Sequence, residues 1–210
     1  MSSSVATRIL PDGCMDLIWD GGRLLVAGPD TRARWHESLS GEAYVGLRFS
    51  RGLGPALLSA PADQLRDLSP DLAEMWPCAD ARVLAEQVAE DPAGALERWL
   101  ATRAVDHPAD RLGPAVFDLA AQGASAEAIA RHVGLGARQL HRRCLPLFGY
   151  GPQHLRRVLR LSRAVNLGRS GVPLAGVATE CGFADQAHLS REVQDLAGTT
   201  PTLLLGGLSR

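Results

Sequence analysis

Arginine is the residue type best suited to chemistry in this sequence, because all 22 basic residues of the 210-residue chain are arginines. A chain without lysine forms no lysine Schiff base and has no phosphate-loop lysine, which excludes several classes of enzyme. Residues 1–110 hold 10 arginines against 17 acidic residues, whereas residues 111–210 hold 12 against 6, giving net charges of −7 and +6. This division predicts that the C-terminal part binds a polyanion and that the N-terminal part has another role.

Thiol and metal chemistry are disfavoured by the spacing of cysteine and histidine. Cys14, Cys78, Cys144 and Cys181 lie far apart and include no CxxC pair, so we interpret them as reduced thiols. His36 and Cys14 could share a metal ion, but no H-x-H pair supplies the further ligand that a catalytic metal needs. The sequence therefore predicts no metal site, no cofactor and no enzymatic activity.

The apolar content also limits where the chain can reside. Hydrophobic residues make up 46% of the sequence, which is enough for an ordinary core in one or two domains. No apolar run is long enough to cross a membrane, and the first residues, MSSSVATRILPDG, lack the basic and apolar blocks of a signal peptide. We therefore expect a cytoplasmic protein with no membrane partner.

The elements that must position the charged residues differ between the two halves. In the first half, MDLIW (15–19), LLVAG (24–28) and YVGLRF (44–49) are short apolar runs separated by turn residues, which predicts hairpins. From Gly54 onward, leucines and alanines recur at steps of three and four residues, which predicts helices. Residues 104–111 contain a proline and are predicted to form a linker to a second, helical half. The fold class is therefore α+β.

The helical half contains a short helix, a glycine and a second, polar helix. In SAEAIARHVG, Ser125 can cap the first turn, and the small Ala130 lets the next helix approach closely. Gly134 permits the positive φ of the turn, and Leu140 anchors the second helix on the first. This is the spacing of a helix-turn-helix unit. The outward-facing side chains of its second helix are Arg138, Gln139, His141, Arg142 and Arg143.

The same pattern returns about 48 residues later. LAGVATECGF supplies Ala178 and Gly182, Asp185 is the expected N-cap of the next helix, and Leu189 is its inward anchor. Two such patterns in one basic segment are far more specific than one. Between them, the 16 residues 152–167 would span about 24 Å if helical. With the offset of each recognition helix added, that length makes two insertions into successive major grooves, about 34 Å apart, feasible on one face of DNA.

Residues 110–205 resemble the DNA-binding domain of AraC/XylS-type transcription regulators. The resemblance rests on AIARHVGLGARQLHRRCLPLFGYGPQHLRRVLRLSRAV and on VATECGFADQAHLSREVQDLAGTTP, in which GF, D-Q-x-H-L-S-R and G-x-x-P occur in the family's order. Cys144 and Val193 stand where the family usually has phenylalanine, and Gly136 replaces a serine cap. The N-terminal segments PDGCMDLIW, VAGPDT and GLRFSRG resemble a short domain often found ahead of this module in bacterial regulators.

The resemblance implies a barrel-like N-terminal sensor or dimerisation domain, residues 1–104, and a DNA-binding domain of two helix-turn-helix units joined by a long helix, residues 105–210. The implied partner is double-stranded DNA. Some residues of this domain have another possible role besides contacting DNA. Any single arginine could lie on a solvated helix face, His188 could pack in the core, and Arg191 could form an ion pair with Asp185 or Asp195. The implied base-reading residues are Arg138, Gln139, Arg142, Asp185, Gln186 and His188. The implied phosphate contacts are Arg143, Arg156, Arg157, Arg160 and Arg191.

The family plan implies a sensor or dimerisation role for the acidic half, and a small barrel can hold a ligand, here a small-molecule effector, in its mouth. Trp19, Trp35, Tyr44 and Arg48 are the candidates, because aromatic walls with one fixed charge suit an apolar organic acid or a planar ligand; core packing is their alternative role. The family plan also allows a homodimer and contact with RNA polymerase. Rival hypotheses are a metal-dependent or DNA-repair enzyme that uses the same module, and an adaptor that has lost DNA recognition. The repair enzyme would need about four zinc-binding cysteines, which the N-terminal half lacks.

Overall fold

The computed structural model describes residues 4–39, 42–106 and 110–205, and it confirms the α+β class. The strands of the N-terminal part lie in two small antiparallel sheets, one of two strands (β1–β4) and one of three (β3–β2–β5). The small, β-rich N-terminal part expected from the sequence is thus built, within the described residues, from two sheets. The strands are β1 (Ser4–Ile9), β2 (Met15–Trp19), β3 (Leu24–Ala27), β4 (Arg34–Leu39) and β5 (Val45–Phe49).

The three-stranded sheet forms where the apolar runs predicted it. β2 alternates buried and partly buried residues, with Met15, Leu17 and Trp19 facing the core. The turn from β2 to β3 is held by Asp20, whose Oδ1 accepts the backbone N–H groups of Gly22 and Arg23, each at 3.0 Å. The sequence did not reveal β1 and β4, because both strands are rich in polar residues.

Helices pack against the three-stranded sheet and share a core with it. The predicted helical stretch is broken at Asp91, because a residue that precedes proline avoids the α conformation; its φ and ψ are −142° and 81°. Leu17, Leu58, Leu72 and Leu96 are fully buried at the centre of this core. The elements are α1 (Gly54–Leu58), a 3₁₀ turn (Ala62–Gln64), α2 (Leu72–Met75), α3 (Cys78–Glu90) and α4 (Pro92–Asp106).

The C-terminal part is all helical, as predicted, and it has two cores. Ile129 and Leu140 are fully buried in the first, and Val177 and Leu189 in the second. One long helix, α8, contributes to both. The elements are α5 (Leu112–Ala121), α6 (Ala126–His132), α7 (Ala137–Phe148), α8 (Pro152–Arg169), α9 (Leu174–Glu180), α10 (Gln186–Ala197) and α11 (Pro201–Leu205).

The turns of both helix-turn-helix units have the expected geometry. Gly134 and Gly182 have φ of 68° and 69°, the left-handed region that glycine tolerates best. Ser125 Oγ accepts the backbone N–H of Ala128 at 3.2 Å, which confirms the predicted N-cap of α6. Helix α8 has 18 residues, two more than predicted, and is therefore about 27 Å long.

The segment between β3 and β4, residues 28–33, touches both helix-turn-helix units. Pro29 lies against Gly149 at the end of α7, and the Thr31 carbonyl is 3.2 Å from Nε2 of His154 on α8. Arg32 pairs with Asp195 at 2.9 Å. The backbone N–H of Ala33 donates to the Leu196 carbonyl of α10 at 2.7 Å. The two halves are thus in direct contact. The predicted linker lies partly outside the described residues, and α4 continues into it as far as Asp106.

Candidate nucleic-acid interface

The first polar helix, α7, presents three of the predicted base-reading residues to solvent. Arg138, Gln139 and Arg142 are all exposed, while the opposite face of the helix is buried. Gln139 has a second task, because its Oε1 accepts the backbone N–H of Gly136 at 3.0 Å. That bond holds the start of α7 where the usual serine cap is missing. Arg138 and Arg142 are therefore the side chains of α7 most available to a ligand.

The second polar helix, α10, uses its first residues mainly to hold its own start. Asp185 is the N-cap, since its Oδ1 accepts the backbone N–H of His188 at 2.6 Å. The His188 ring is partly buried, packs edge-on against Phe183 with centroids 5.4 Å apart, and accepts the Ala184 N–H at 3.3 Å. Gln186 is exposed. The structure thus gives Asp185 and His188 internal partners and leaves Gln186 facing solvent.

Removing the N-cap of α10 should destabilise the second unit. We expect Asp185→Ala to lower the free energy of unfolding by about 1 kcal/mol, because an N–H at the helix start then loses its acceptor. Asp185→Asn keeps an acceptor and should lower the free energy of unfolding by only a few tenths of about 1 kcal/mol. Ser125→Ala on α6 is the matched change in the first unit. Urea unfolding measures all three, and equal stability of the alanine and asparagine variants would contradict the capping role.

Two of the arginines predicted to contact phosphate, Arg157 and Arg160, form ion pairs inside the domain. Arg157 Nε lies 3.1 Å from both carboxylate oxygens of Glu192, and its Nη2 donates to Asp195. Arg160 lies 3.4 Å from Glu192 and stacks over the Phe183 ring at 4.3 Å. The hydrogen bond from Arg157 holds the pKa of Asp195 below its usual value. These arginines fasten α8 to α10 across the second unit.

The remaining arginines of the predicted set are more accessible. Arg143 pairs with Asp110 at 3.0 Å, and both side chains are about half exposed. Arg191 is exposed, and among the described residues no carboxylate lies within the 4.0 Å of an ion pair. The alternative ion pairs proposed for Arg191 are thus not formed, because Asp195 binds Arg157 and Arg32 while Asp185 caps α10.

A narrow groove between the two units collects further arginines. Arg156, Arg160 and Arg163 of α8 line it, together with Glu180. The Nε atoms of Arg156 and Arg160 are buried there without a hydrogen-bond partner among the described residues. Buried donors normally find an acceptor. Among the described residues that line the groove, three arginines outnumber the single glutamate, so its charge is positive, and the phosphate contact of Arg156 stays a prediction.

The four residues predicted to bind an effector differ in their surroundings, and their effector-binding role stays a prediction. Trp19 is only 8% exposed and packs in the N-terminal core, whereas Trp35 is 62% exposed beneath the guanidinium of Arg8. The Tyr44 hydroxyl donates to Glu42, and Arg48 pairs with Asp12 and Asp16 at 3.1 and 2.9 Å. The sequence could not separate packing from binding here, because the partners of Trp35 and Arg48, such as Arg8 and Asp16, are distant in the chain.

Thiol, metal and membrane features can be judged for the described residues. Burial raises the pKa of Cys14 and of Cys144 to about 12, so both remain poorly reactive thiols. In residues 4–39, 42–106 and 110–205, no group of three or more Cys, His, Asp or Glu side chains could hold a metal ion. No helix in that part of the chain is long and apolar enough to cross a membrane.

Comparison with known proteins matches both parts of the chain to families. Residues 129–205 match a family described as a helix-turn-helix domain, and residues 2–71 match a domain of unknown function, DUF6597. No curated protein sequence matches the chain. The match at residues 129–205 covers α7, α8, α9 and α10, the helices that carry the polar side chains described above.

Two solved structures of ToxT share the fold over almost the whole chain, and a third structure aligns with part of it. ToxT from Vibrio cholerae aligns over 100% of both chains at 13% identity, with a TM-score of 0.52. ToxT from the same organism with a bound unsaturated fatty acid aligns over 99% of this chain and 95% of that one, at 12% identity and a TM-score of 0.50. A probable AraC family transcriptional regulator from Rhodopseudomonas palustris aligns over 47% of this chain and 97% of its own, at 22% identity and a TM-score of 0.41.

Proposed function

Because the chain carries an AraC-type helix-turn-helix domain behind a DUF6597 domain, we propose that it regulates transcription by reading specific sequences of double-stranded DNA with α7 and α10. The observation that carries the proposal is the pairing of two helix-turn-helix units on one continuous helix, each with an exposed polar recognition helix. The net charge of +6 over residues 111–210 supplies the attraction to phosphate.

Within this proposal, we assign base reading mainly to Arg138, Arg142 and Gln186. Arginine pairs bidentately with guanine and glutamine with adenine in the major groove. Gln139, Asp185 and His188 each hold the start of a helix through an internal hydrogen bond. We therefore give these three residues a supporting role in base reading. Phosphate contacts fall to Arg143, Arg156 and Arg191, while Arg157 and Arg160 position α10.

The central test is selection of bound sequences from random duplexes by the full chain, followed by affinity measurements at several salt concentrations. A specific site should emerge, and the logarithm of the binding constant should fall with the logarithm of salt with a slope of about −0.9 per phosphate contact. Recovery of random sequence at low salt would reject the regulator hypothesis and favour an adaptor. A specific site accompanied by stoichiometric metal would favour the enzyme hypothesis.

Substitution of one base reader should weaken binding selectively. We expect Arg138→Ala to reduce affinity for the selected site by roughly tenfold and to relax preference at one base pair, because a bidentate contact is lost. Arg82→Ala is the matched control, since Arg82 is an exposed arginine on α3 that pairs with Glu86 in the N-terminal half. Electrophoretic mobility shifts on the selected duplex measure both variants. Equal losses for Arg82→Ala and Arg138→Ala would contradict base reading.

We also propose that the N-terminal domain controls DNA binding through an effector. Two observations support this: residues 28–33 contact α7, α8 and α10, and a ToxT structure of similar fold holds an unsaturated fatty acid. A ligand that shifts the N-terminal domain would thereby bias both units together. Self-association and contact with RNA polymerase belong to the same proposal, and sedimentation and polymerase pull-down measure them.

The folded state should lose stability in mild acid because of His154, which lies where the two halves meet. Burial lowers the pKa of His154, assisted by the charge of Arg157 and opposed by the Thr31 carbonyl, Asp195 and Asp67. The unfolded chain therefore binds the proton more readily, and stability is lost as the pH falls below about 6.5. We expect a lower free energy of unfolding at pH 5.5 than at pH 7.5. The difference should shrink in His154→Gln, whereas an unchanged difference would exclude His154 as its source.

A further inference from the structure

A broad groove lies between α3 and α4, in a part of the chain that neither the sequence prediction nor the family matches assign a role. Its volume is about 790 Å³, within the range of small-molecule sites. Trp76, Val83, Leu84 and Trp99 provide apolar lining. Val83 is 47% exposed although it is aliphatic. The groove thus presents apolar surface to solvent where a ligand could cover it.

The aromatic walls of the groove are held in place. The Trp76 and Trp99 rings have centroids 5.9 Å apart and planes inclined by 37°. Trp76 Nε1 donates to the Leu58 carbonyl at 2.9 Å, and Trp99 packs against Phe49 with centroids 6.1 Å apart. Two fixed indole rings form a preorganised surface for a flat apolar group.

One cation in this groove lacks an acidic partner. Arg103 is partly buried, its guanidinium lies 4.9 Å from the centre of the Trp76 ring, and among the described residues no carboxylate is within ion-pair distance. Nε donates to the Leu57 carbonyl at 2.9 Å and Nη2 to Ser59 Oγ at 2.8 Å. These bonds aim the guanidinium and leave Nη1 for another acceptor. By contrast, Arg98 in the same groove pairs with Asp91 at 3.0 Å.

We propose that this groove binds a planar, apolar monocarboxylate, with its carboxylate on Arg103 and its ring against Trp76 and Trp99. A buried or partly buried cation is stabilised by an anion, which the groove itself does not supply to Arg103. A single negative charge fits better than a phosphate, because Asp80 also lines the groove and would repel a dianion.

The site is connected to the DNA-binding half through α1. Arg103 holds the end of that helix through Leu57 and Ser59, and Gly52 just before it packs on Phe148 of α7. A ligand that binds Arg103 and changes its hydrogen bonds would therefore shift α1 and the residues before it, which pack on the first recognition helix, α7. This regulatory step rests on the proposed function, whereas ligand binding does not, so the two are measured separately.

The test uses the full chain with trans-cinnamate as the probe and its neutral amide as the control. Calorimetry should show cinnamate binding at least about tenfold more tightly than cinnamamide, because only the acid forms a charge-assisted hydrogen bond. Arg103→Gln should weaken cinnamate binding by about tenfold, whereas Arg98→Gln should leave it within about twofold. Equal binding of acid and amide, or loss in Arg98→Gln but not in Arg103→Gln, overturns the proposal.

A second measurement does not depend on the folding of any variant. In ¹⁵N-labelled wild-type protein, cinnamate should shift the indole N–H signals of Trp76 and Trp99 and leave those of Trp19 and Trp35 in place. The opposite pattern rejects the site. Sedimentation gives a second criterion: a dimer that neither binds cinnamate nor dissociates when cinnamate is added also rejects the site. Cinnamate binding without specific DNA binding would reject the proposed function and keep the site; specific DNA binding without cinnamate binding would do the reverse.

Discussion

Inserting five base pairs between the two half-sites of the selected duplex is expected to weaken binding by about 100-fold or more. Helix α8 is continuous from Pro152 to Arg169 and contributes buried residues to the core of each unit, such as Val158 to the first and Val165 to the second. The two recognition helices are therefore held at one spacing and on one side. Half a turn of DNA moves the second major groove to the opposite face, so only one unit can bind and the gain from linked binding is lost.

A ten-base-pair insertion between the half-sites distinguishes a rigid connection of the two units from a flexible one. It returns the second groove to the original face but adds about 34 Å, which exceeds the roughly 27 Å length of α8. A rigid pair of units should therefore bind this duplex as weakly as the one with five inserted base pairs. Recovery of affinity with ten base pairs would show that the units swing independently. Five base pairs added outside the site are the control and should have no effect, and fluorescence anisotropy measures all four duplexes.

The parts of this molecule that could be predicted from sequence are those set by local rules. The glycines at 134 and 182 allow positive φ, Ser125 and Asp185 cap the helices that follow them, and Leu140 and Leu189 face inward. Each of these properties depends on residues within a few positions in the chain. The helix-turn-helix pattern and the outward face of α7 therefore followed from the sequence alone.

The parts that could not be predicted depend on partners far apart in the chain. Strands β1 and β4 pair with each other across about 30 residues, and neither is a short apolar run like β2. Arg157 looked like a phosphate contact because its acceptors, Glu192 and Asp195, lie 35 and 38 positions away. The docking of residues 28–33 on α10 spans more than 160 positions. Charge and periodicity carry no information about such pairings.

Replacing Glu192 with alanine is expected to cost more stability than removing the Asp185 cap. The Glu192 side chain is 15% exposed and accepts contacts from Arg157 and Arg160, which are 30% and 17% exposed, and Nε2 of His188 lies 4.0 Å away. Glu192→Ala would leave two largely desolvated guanidinium groups without this carboxylate. Breaking a buried ion pair on one side costs about 3–5 kcal/mol, and because Arg157 is partly exposed and keeps Asp195, we expect about 2 kcal/mol here.

The same substitution should also alter DNA binding, because Glu192 joins α8 to the second recognition helix. We expect Glu192→Ala to lose specific affinity, while Glu192→Gln, which keeps one hydrogen-bond acceptor and the shape of the side chain, should lose clearly less stability. Urea unfolding gives the free energies, and anisotropy on the selected duplex gives the affinities. If Glu192→Ala kept wild-type stability and bound DNA more tightly, the freed arginines would be phosphate contacts after all. The roles of Arg157 and Arg160 would then return to those inferred from the sequence.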